Sequence, residues 1–108
     1  MCSLRKGVTN LGSSLMPRFN PRDVQEILDM LEEGLHSIPK LGKIEKMKMR
    51  SKIRRQGSWI FALLNPTAEM VYDRLEERLS DIFPLYPYDF KEKLKRLLKE
   101  RAKLLRST

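Results

Sequence analysis

Long cationic side chains recur through residues 40–55 at spacings that suit contact with phosphates. The run holds eight lysines and arginines and a single acid, Glu45, so its net charge is +7. When the run is turned as an α-helix, seven of the cations fall in two parallel rows. The first row is Lys43, Lys46, Arg50 and Arg54, and the second is Lys48, Lys52 and Arg55. Two such rows can neutralise a nucleic-acid backbone and release its counterions.

The residues around these rows predict contact with the backbone rather than with base edges. Asn and Gln are scarce near the cations, so binding is expected to be independent of base sequence. One alternative is a solvated face whose self-repulsion is relieved by the acidic segments 19–39 and 66–83. A second alternative is a small helical module, accessory or regulatory, that docks on another protein without binding nucleic acid. A membrane-surface helix is not expected, because the apolar stripe of the run is irregular.

A second basic block closes the chain, from Lys91 to Arg106. It contains eight cations against Glu92 and Glu100. Leucines recur along it at helical spacing, which predicts a helix with a leucine seam. Its cations are expected to be secondary to those of residues 40–55 in any polyanion surface.

The residues that could support catalysis are too few and too poorly spaced. His36, the only histidine, comes near the end of a predicted helix, and no nucleophile accompanies it. The pairs Glu32–Glu33 and Glu76–Glu77 are adjacent on helices, so their carboxylates point apart. With Cys2 as the only cysteine, neither an internal disulfide nor a Cys/His zinc site is available. The sequence therefore predicts no enzyme, cofactor or metal, and a reducing compartment, cytoplasmic or alternatively nuclear.

Proline, asparagine and aspartate predict where three helices begin. Asn20 before Pro21 forms a helix start, and an apolar stripe from Val24 to Ile38 follows. Asn65 before Pro66 repeats the signal, and Asp89 with Glu92 forms an acidic capping box. The predicted helices span residues 20–38, 66–83 and 89–106.

The segment 40–64 carries two competing apolar stripes. Leu41, Ile44 and Met47 share one stripe, whereas Met49, Ile53, Ile60 and Leu64 lie on another. A single helix with a kink at Gly57 is predicted, with a break near residues 56–58 as the alternative. Trp59 and Phe61 are expected in the core, and stacking on bases is the alternative for them.

Together these elements predict an all-α fold, a small bundle of about four helices. Residues 19–108 form the predicted helical domain, and residues 1–18 a flexible leader, for which a mitochondrial transit peptide is the alternative. Only 41% of the 108 residues are apolar, so the core must be thin. A homodimer that completes it is therefore expected.

A local pattern in residues 58–75 resembles the RNA-silencing suppressors of nodaviruses. A basic helix leads into Ala62, Leu63 and Leu64, and Pro66 is followed by a helix with Val71 and Leu75. Pro66 comes one residue early and Val71 is displaced, and the basic C-terminal helix departs from the family. The resemblance covers about a sixth of the chain. It implies a dimeric helical viral protein whose second helix faces the backbone of double-stranded RNA.

Overall fold

The protein is described here by a computed structural model of residues 16–106, which form α-helices and 3₁₀ turns and no strand. The all-α prediction is therefore confirmed, while the predicted leader falls mostly on residues 1–15, outside the described range. The helices are numbered α1 (Pro21–Gly34), α2 (Lys43–Arg54), α3 (Gly57–Ala62), α4 (Ala68–Arg78) and α5 (Tyr88–Arg106).

Helix α1 begins as its sequence predicts. The Asn20 Oδ1 accepts a hydrogen bond from the Asp23 backbone N–H at 2.8 Å, which satisfies one of the free amides of the first turn. The helix passes at its end into a 3₁₀ turn, Leu35–Ser37. Together they cover most of the predicted 20–38 span.

In place of the predicted single helix over 40–64, the structure has two helices that meet near Gly57, which corresponds to the alternative break near residues 56–58. Helix α2 ends at Arg54 and α3 begins at Gly57. Gln56, the only buried polar residue between 16 and 106, fixes the junction. Its side-chain Nε2 donates to the Lys52 carbonyl oxygen at 2.9 Å, and its Oε1 accepts from Trp59 Nε1 at 2.7 Å. As separate helices, α2 and α3 both pack against the same neighbour, α1.

The second Asn-Pro signal marks a turn and not a helix start. Asn65 has a φ of 50°, a left-handed conformation that asparagine tolerates. The cap is Thr67, whose Oγ1 accepts from the Met70 backbone N–H at 3.2 Å. Helix α4 consequently starts two residues after the predicted position and ends at Arg78. In α5, Asp89 lies inside the first turn rather than at the cap.

Helix α1 is the centre of the fold. Helices α2, α3 and α5 each pack against α1, and α4 packs on α5. Gly34 allows α1 and α5 to approach, since a Cβ there would overlap the ring of Phe90. Next to this contact, the Tyr86 hydroxyl donates to the Leu31 carbonyl oxygen at 2.6 Å. The largest fully buried side chains are Phe19, Ile27, Leu31, Leu35, Ile53, Ile60, Leu75, Leu79, Ile82, Phe83, Leu94 and Leu98. Dimerisation remains a prediction.

Candidate nucleic-acid interface

Helix α2 carries most of the predicted contact rows. Its start is stabilised by a residue of its own first turn, Glu45. The backbone N–H of Gly42 donates to Glu45 Oε1 at 2.9 Å. Glu45 also lies in the first turn, where the helix dipole favours a negative charge. The one acid of the basic run is thus used at the helix start.

Two of the seven predicted contact residues hold α2 against the rest of the fold. Arg54 Nη2 lies 2.9 Å from Asp29 Oδ1, and its Nε contacts the Glu32 carboxylate. Lys52 Nζ lies 2.9 Å from Asp81 Oδ2, and this hydrogen bond lowers the pKa of the Asp81 carboxyl. Arg54 and Lys52 therefore already have anionic partners within the chain.

The other five cations have no carboxylate partner within residues 16–106. Four of them are exposed, and Lys46 is half-buried on the side of α2 that faces the core. Four of them belong to α2, whose only buried residue is Ile53, and Arg55 directly follows the helix. We call this set the basic ridge: Lys43, Lys46, Lys48, Arg50 and Arg55.

An apolar strip lies between the two rows of the basic ridge. Ile44 is 70% exposed and Met47 is 62% exposed, and the two residues are three apart on the solvent side of α2. Of the stripe with Met49 and Ile53, the structure buries all but Leu64 wholly or in part, whereas of the other stripe only Leu41 packs against the core. The sequence identified both stripes without indicating which one faces the core.

Two arginines of the second basic block form hydrogen bonds to other parts of the fold. Arg101 donates from Nε and Nη2 to the two carboxylate oxygens of Glu26, both at 2.8 Å, and lies 3.6 Å from Asp23. The hydrogen bond lowers the pKa of the Glu26 carboxyl. Arg106 donates to the carbonyl oxygens of Asn65 and Pro66 at 3.1 and 2.8 Å. These arginines join α5 to α1 and to the turn before α4.

The remaining cations of α5 share its exposed side with acids. Lys93, Arg96, Lys99 and Lys103 are exposed, and Asp89 and Glu100 lie among them. Glu92 also lies there and pairs with Lys95 at 3.4 Å. Because three acids lie among the cations, the field of this face is weaker than that of the basic ridge.

The two aromatic residues behind the basic run occupy different environments. Trp59 packs against the core, and the guanidinium carbons of Arg74 and Arg78 each lie 5.5 Å from its ring centroid. This is the range of cation–π attraction. Phe61 is 40% exposed and lies outside the core, contrary to prediction, because α3 turns it toward solvent beside Arg18.

Residues 16–106 contain no group of three histidine, cysteine or acidic side chains arranged to hold a metal ion. Within the same range no helix combines the length and apolar character needed to cross a bilayer. His36 is exposed on the 3₁₀ turn after α1. Comparisons of the chain with protein-family models, with curated proteins and with solved structures gave no match.

Proposed function

We propose that this protein binds nucleic acid without regard to base sequence, through the basic ridge of α2. The observation that carries the proposal is that the five cations of the basic ridge, four of them exposed, have no carboxylate partner in the described chain. Such a set repels itself until anions approach it. A phosphate backbone supplies anions at regular spacing and releases counterions on contact.

The preferred ligand under this proposal is double-stranded RNA. A duplex offers phosphates on both sides of a groove, which suits cations on both sides of the helix. The preference for RNA over DNA comes from the resemblance to the nodavirus suppressors. The same resemblance extends the proposal to suppression of RNA silencing by a viral accessory protein.

The basic ridge also predicts the salt dependence of binding. If all five of its cations contact phosphates, the logarithm of affinity should fall with the logarithm of salt concentration with a slope of roughly −4. Arg54 and Lys52 are left out of this number, because their charges already have partners.

The test is the double charge reversal Lys48→Glu with Arg50→Glu. Both side chains are exposed, one from each row, so the change should leave the fold intact. The matched control is Arg96→Glu with Lys103→Glu, which reverses one arginine and one lysine on the exposed side of α5. Fluorescence anisotropy with labelled duplexes of two unrelated sequences, RNA and DNA, would follow binding over a range of NaCl concentrations.

We expect the α2 variant to lose affinity for every duplex alike and its salt slope to become shallower by about 2 units. The α5 control should retain most of the affinity. Equal losses in both variants would mean that net charge and not the basic ridge determines binding. A wild-type protein without salt-dependent affinity for any duplex would refute the proposal.

A second candidate function is a protein-interaction module without nucleic-acid binding. The exposure of Ile44 and Met47 favours it, because phosphates offer no apolar surface to cover them. Under this candidate, replacing both residues by serine abolishes binding to the partner, while the charge reversal above leaves no nucleic-acid affinity to lose.

A further inference from the structure

The outward side of α4 carries acids that have no partner in the described chain. Its four acidic residues between 68 and 78 are exposed, and none forms an ion pair within residues 16–106. The two arginines of the same helix, Arg74 and Arg78, lie against Trp59 instead. We call this set the acidic ridge: Glu69, Asp73, Glu76 and Glu77.

An exposed apolar side chain lies beside the acidic ridge. Met70 is 44% exposed, and it lines one shallow depression together with Leu63, Asp73, Arg74 and Glu77. Two members of the acidic ridge thus flank Met70, as cations flank the apolar strip of α2. One helix thus presents methionine beside acids, and the other presents Ile44 and Met47 beside bases.

We propose that a second copy of this chain docks the acidic ridge of its α4 on the basic ridge and apolar strip of α2. The pairing gives the unpartnered charges of both helices opposite charges to meet, and it covers the apolar side chains of both. Pairing α2 with another α2 would instead oppose two sets of five cations. The exposed side of α5 mixes both signs and is a poorer match for α2 than α4 is.

A two-fold arrangement makes this contact form twice. Each copy carries one basic and one acidic ridge, so α2 of each copy meets α4 of the other. Two contacts help to reach the roughly 1,200 Å² of total buried surface that a specific interface needs. The proposal does not depend on nucleic-acid binding, but the two uses of the basic ridge exclude each other. A nucleic acid that binds the ridge should therefore separate the copies.

The experiment compares two charge-reversed variants by sedimentation velocity. The first, Lys48→Glu with Arg50→Glu, lowers the net charge of the basic ridge from +5 to +1 and leaves α4 unchanged. The second, Asp73→Lys with Glu77→Lys, changes the net charge of the acidic ridge from −4 to 0 and leaves α2 unchanged. Each variant alone should be monomeric at protein concentrations where the wild type is dimeric. An equimolar mixture should form a heterodimer, because one of its contacts is the wild-type contact and the other brings the two reversed pairs, again of opposite charge, together.

Three results would overturn the proposal. The first is a wild type that stays monomeric at all accessible concentrations in low salt. The second is a dimeric wild type with a variant mixture that stays monomeric, and the third is a dimer that either variant retains. The α5 control, Arg96→Glu with Lys103→Glu, should keep the wild-type dimer.

Two further measurements separate this proposal from its rivals. The α4 variant should lose self-association yet keep nucleic-acid affinity, so the failure of one proposal does not imply the failure of the other. Flotation with vesicles of anionic phosphatidylserine tests whether a membrane, rather than a second copy of the chain, covers the apolar strip of α2. A monomeric wild type whose vesicle binding is lost when Ile44 and Met47 become serine would assign the apolar strip to lipid and refute the second copy.

Discussion

Helices α2 and α5 come from two basic blocks of almost equal composition, yet the fold uses them in opposite ways. Each block has eight cations, against one acid in residues 40–55 and two in residues 91–106. Helix α5 has three buried residues and lies between α1 and α4, whereas α2 buries only Ile53. Arginines of α5 join it to its neighbours, and most cations of α2 point away from the protein.

The comparison shows that a count of charges does not locate a binding surface. What matters is whether acids lie within reach of the cations. In α5, Glu92 and Glu100 lie on the same helix, and Glu26 of α1 faces Arg101. In α2 the only acid, Glu45, is used at the first turn. A cation that already has a partner gains less from a phosphate than one that has none.

The largest expected difference between the two helices is in stability. Leu98→Ala in α5 removes a fully buried side chain and should lower the free energy of unfolding by about 3 kcal/mol. Met47→Ala in α2 removes an exposed one and should change it by less than about 0.5 kcal/mol. Urea unfolding followed by circular dichroism, at a protein concentration where the wild type is monomeric, would measure both. Similar losses in the two variants would mean that α2 is covered in solution.

A smaller difference in unfolding free energy is expected between the replacements of two arginines, Arg101 and Arg55. Arg101→Ala breaks a bidentate pair with Glu26 and should cost about 1 kcal/mol of unfolding free energy, since the pair is partly exposed. Arg55→Ala removes a cation without a carboxylate partner in residues 16–106 and should cost almost nothing. The same unfolding experiment applies, and Arg101→Lys should recover only part of the loss because lysine cannot form the paired hydrogen bonds. A larger loss in Arg55→Ala would contradict the distinction.

The smallest expected difference is in the response to acid. The pKa values of Glu26 and Asp81 are lowered below their ordinary values of 4.5 and 3.8 by hydrogen bonds from Arg101 and Lys52. The stability that these carboxylates contribute is present above those ordinary values and is lost as pH falls through the lowered ones.

Unfolding free energies measured from about pH 6 down to about pH 3 should therefore fall less steeply in Arg101→Ala than in the wild type, because the contribution of Glu26 is already absent. Arg55→Ala should follow the wild-type pH profile. An unchanged slope in Arg101→Ala would show that Arg101 and Glu26 do not pair in solution.

Local signals in the sequence predicted much of the fold. The cap at Asn20 and the stripe behind it suffice for α1, because both act within a few residues. The Asn65–Pro66 signal predicted a helix start where the structure has a turn, since the same residues suit a turn with a left-handed asparagine. The need for Gly34 was not predictable from local signals, because the ring of Phe90, which leaves no room for a Cβ there, is over fifty residues away along the chain.

The candidate site was likewise predictable only in part. The spacing of the cations on α2 is a property of the helix, so both rows follow from the sequence. The loss of Lys52 and Arg54 from those rows was not predictable, because Asp81, Asp29 and Glu32 come from other elements. The sequence also contained the acids of α4, but only the structure shows that Arg74 and Arg78 lie against Trp59 and form no ion pair with them.

By itself the sequence determined that the chain is helical, where its charges cluster, and which residues share a helix face. These properties depend on residues three or four positions apart, whose relation a helix fixes. The tertiary structure alone decided which apolar stripe of residues 41–64 is buried and which cations keep a free charge. Packing and ion pairing join residues that are distant along the chain. They therefore depend on how α2, α3 and α5 pack against α1 and how α4 packs on α5.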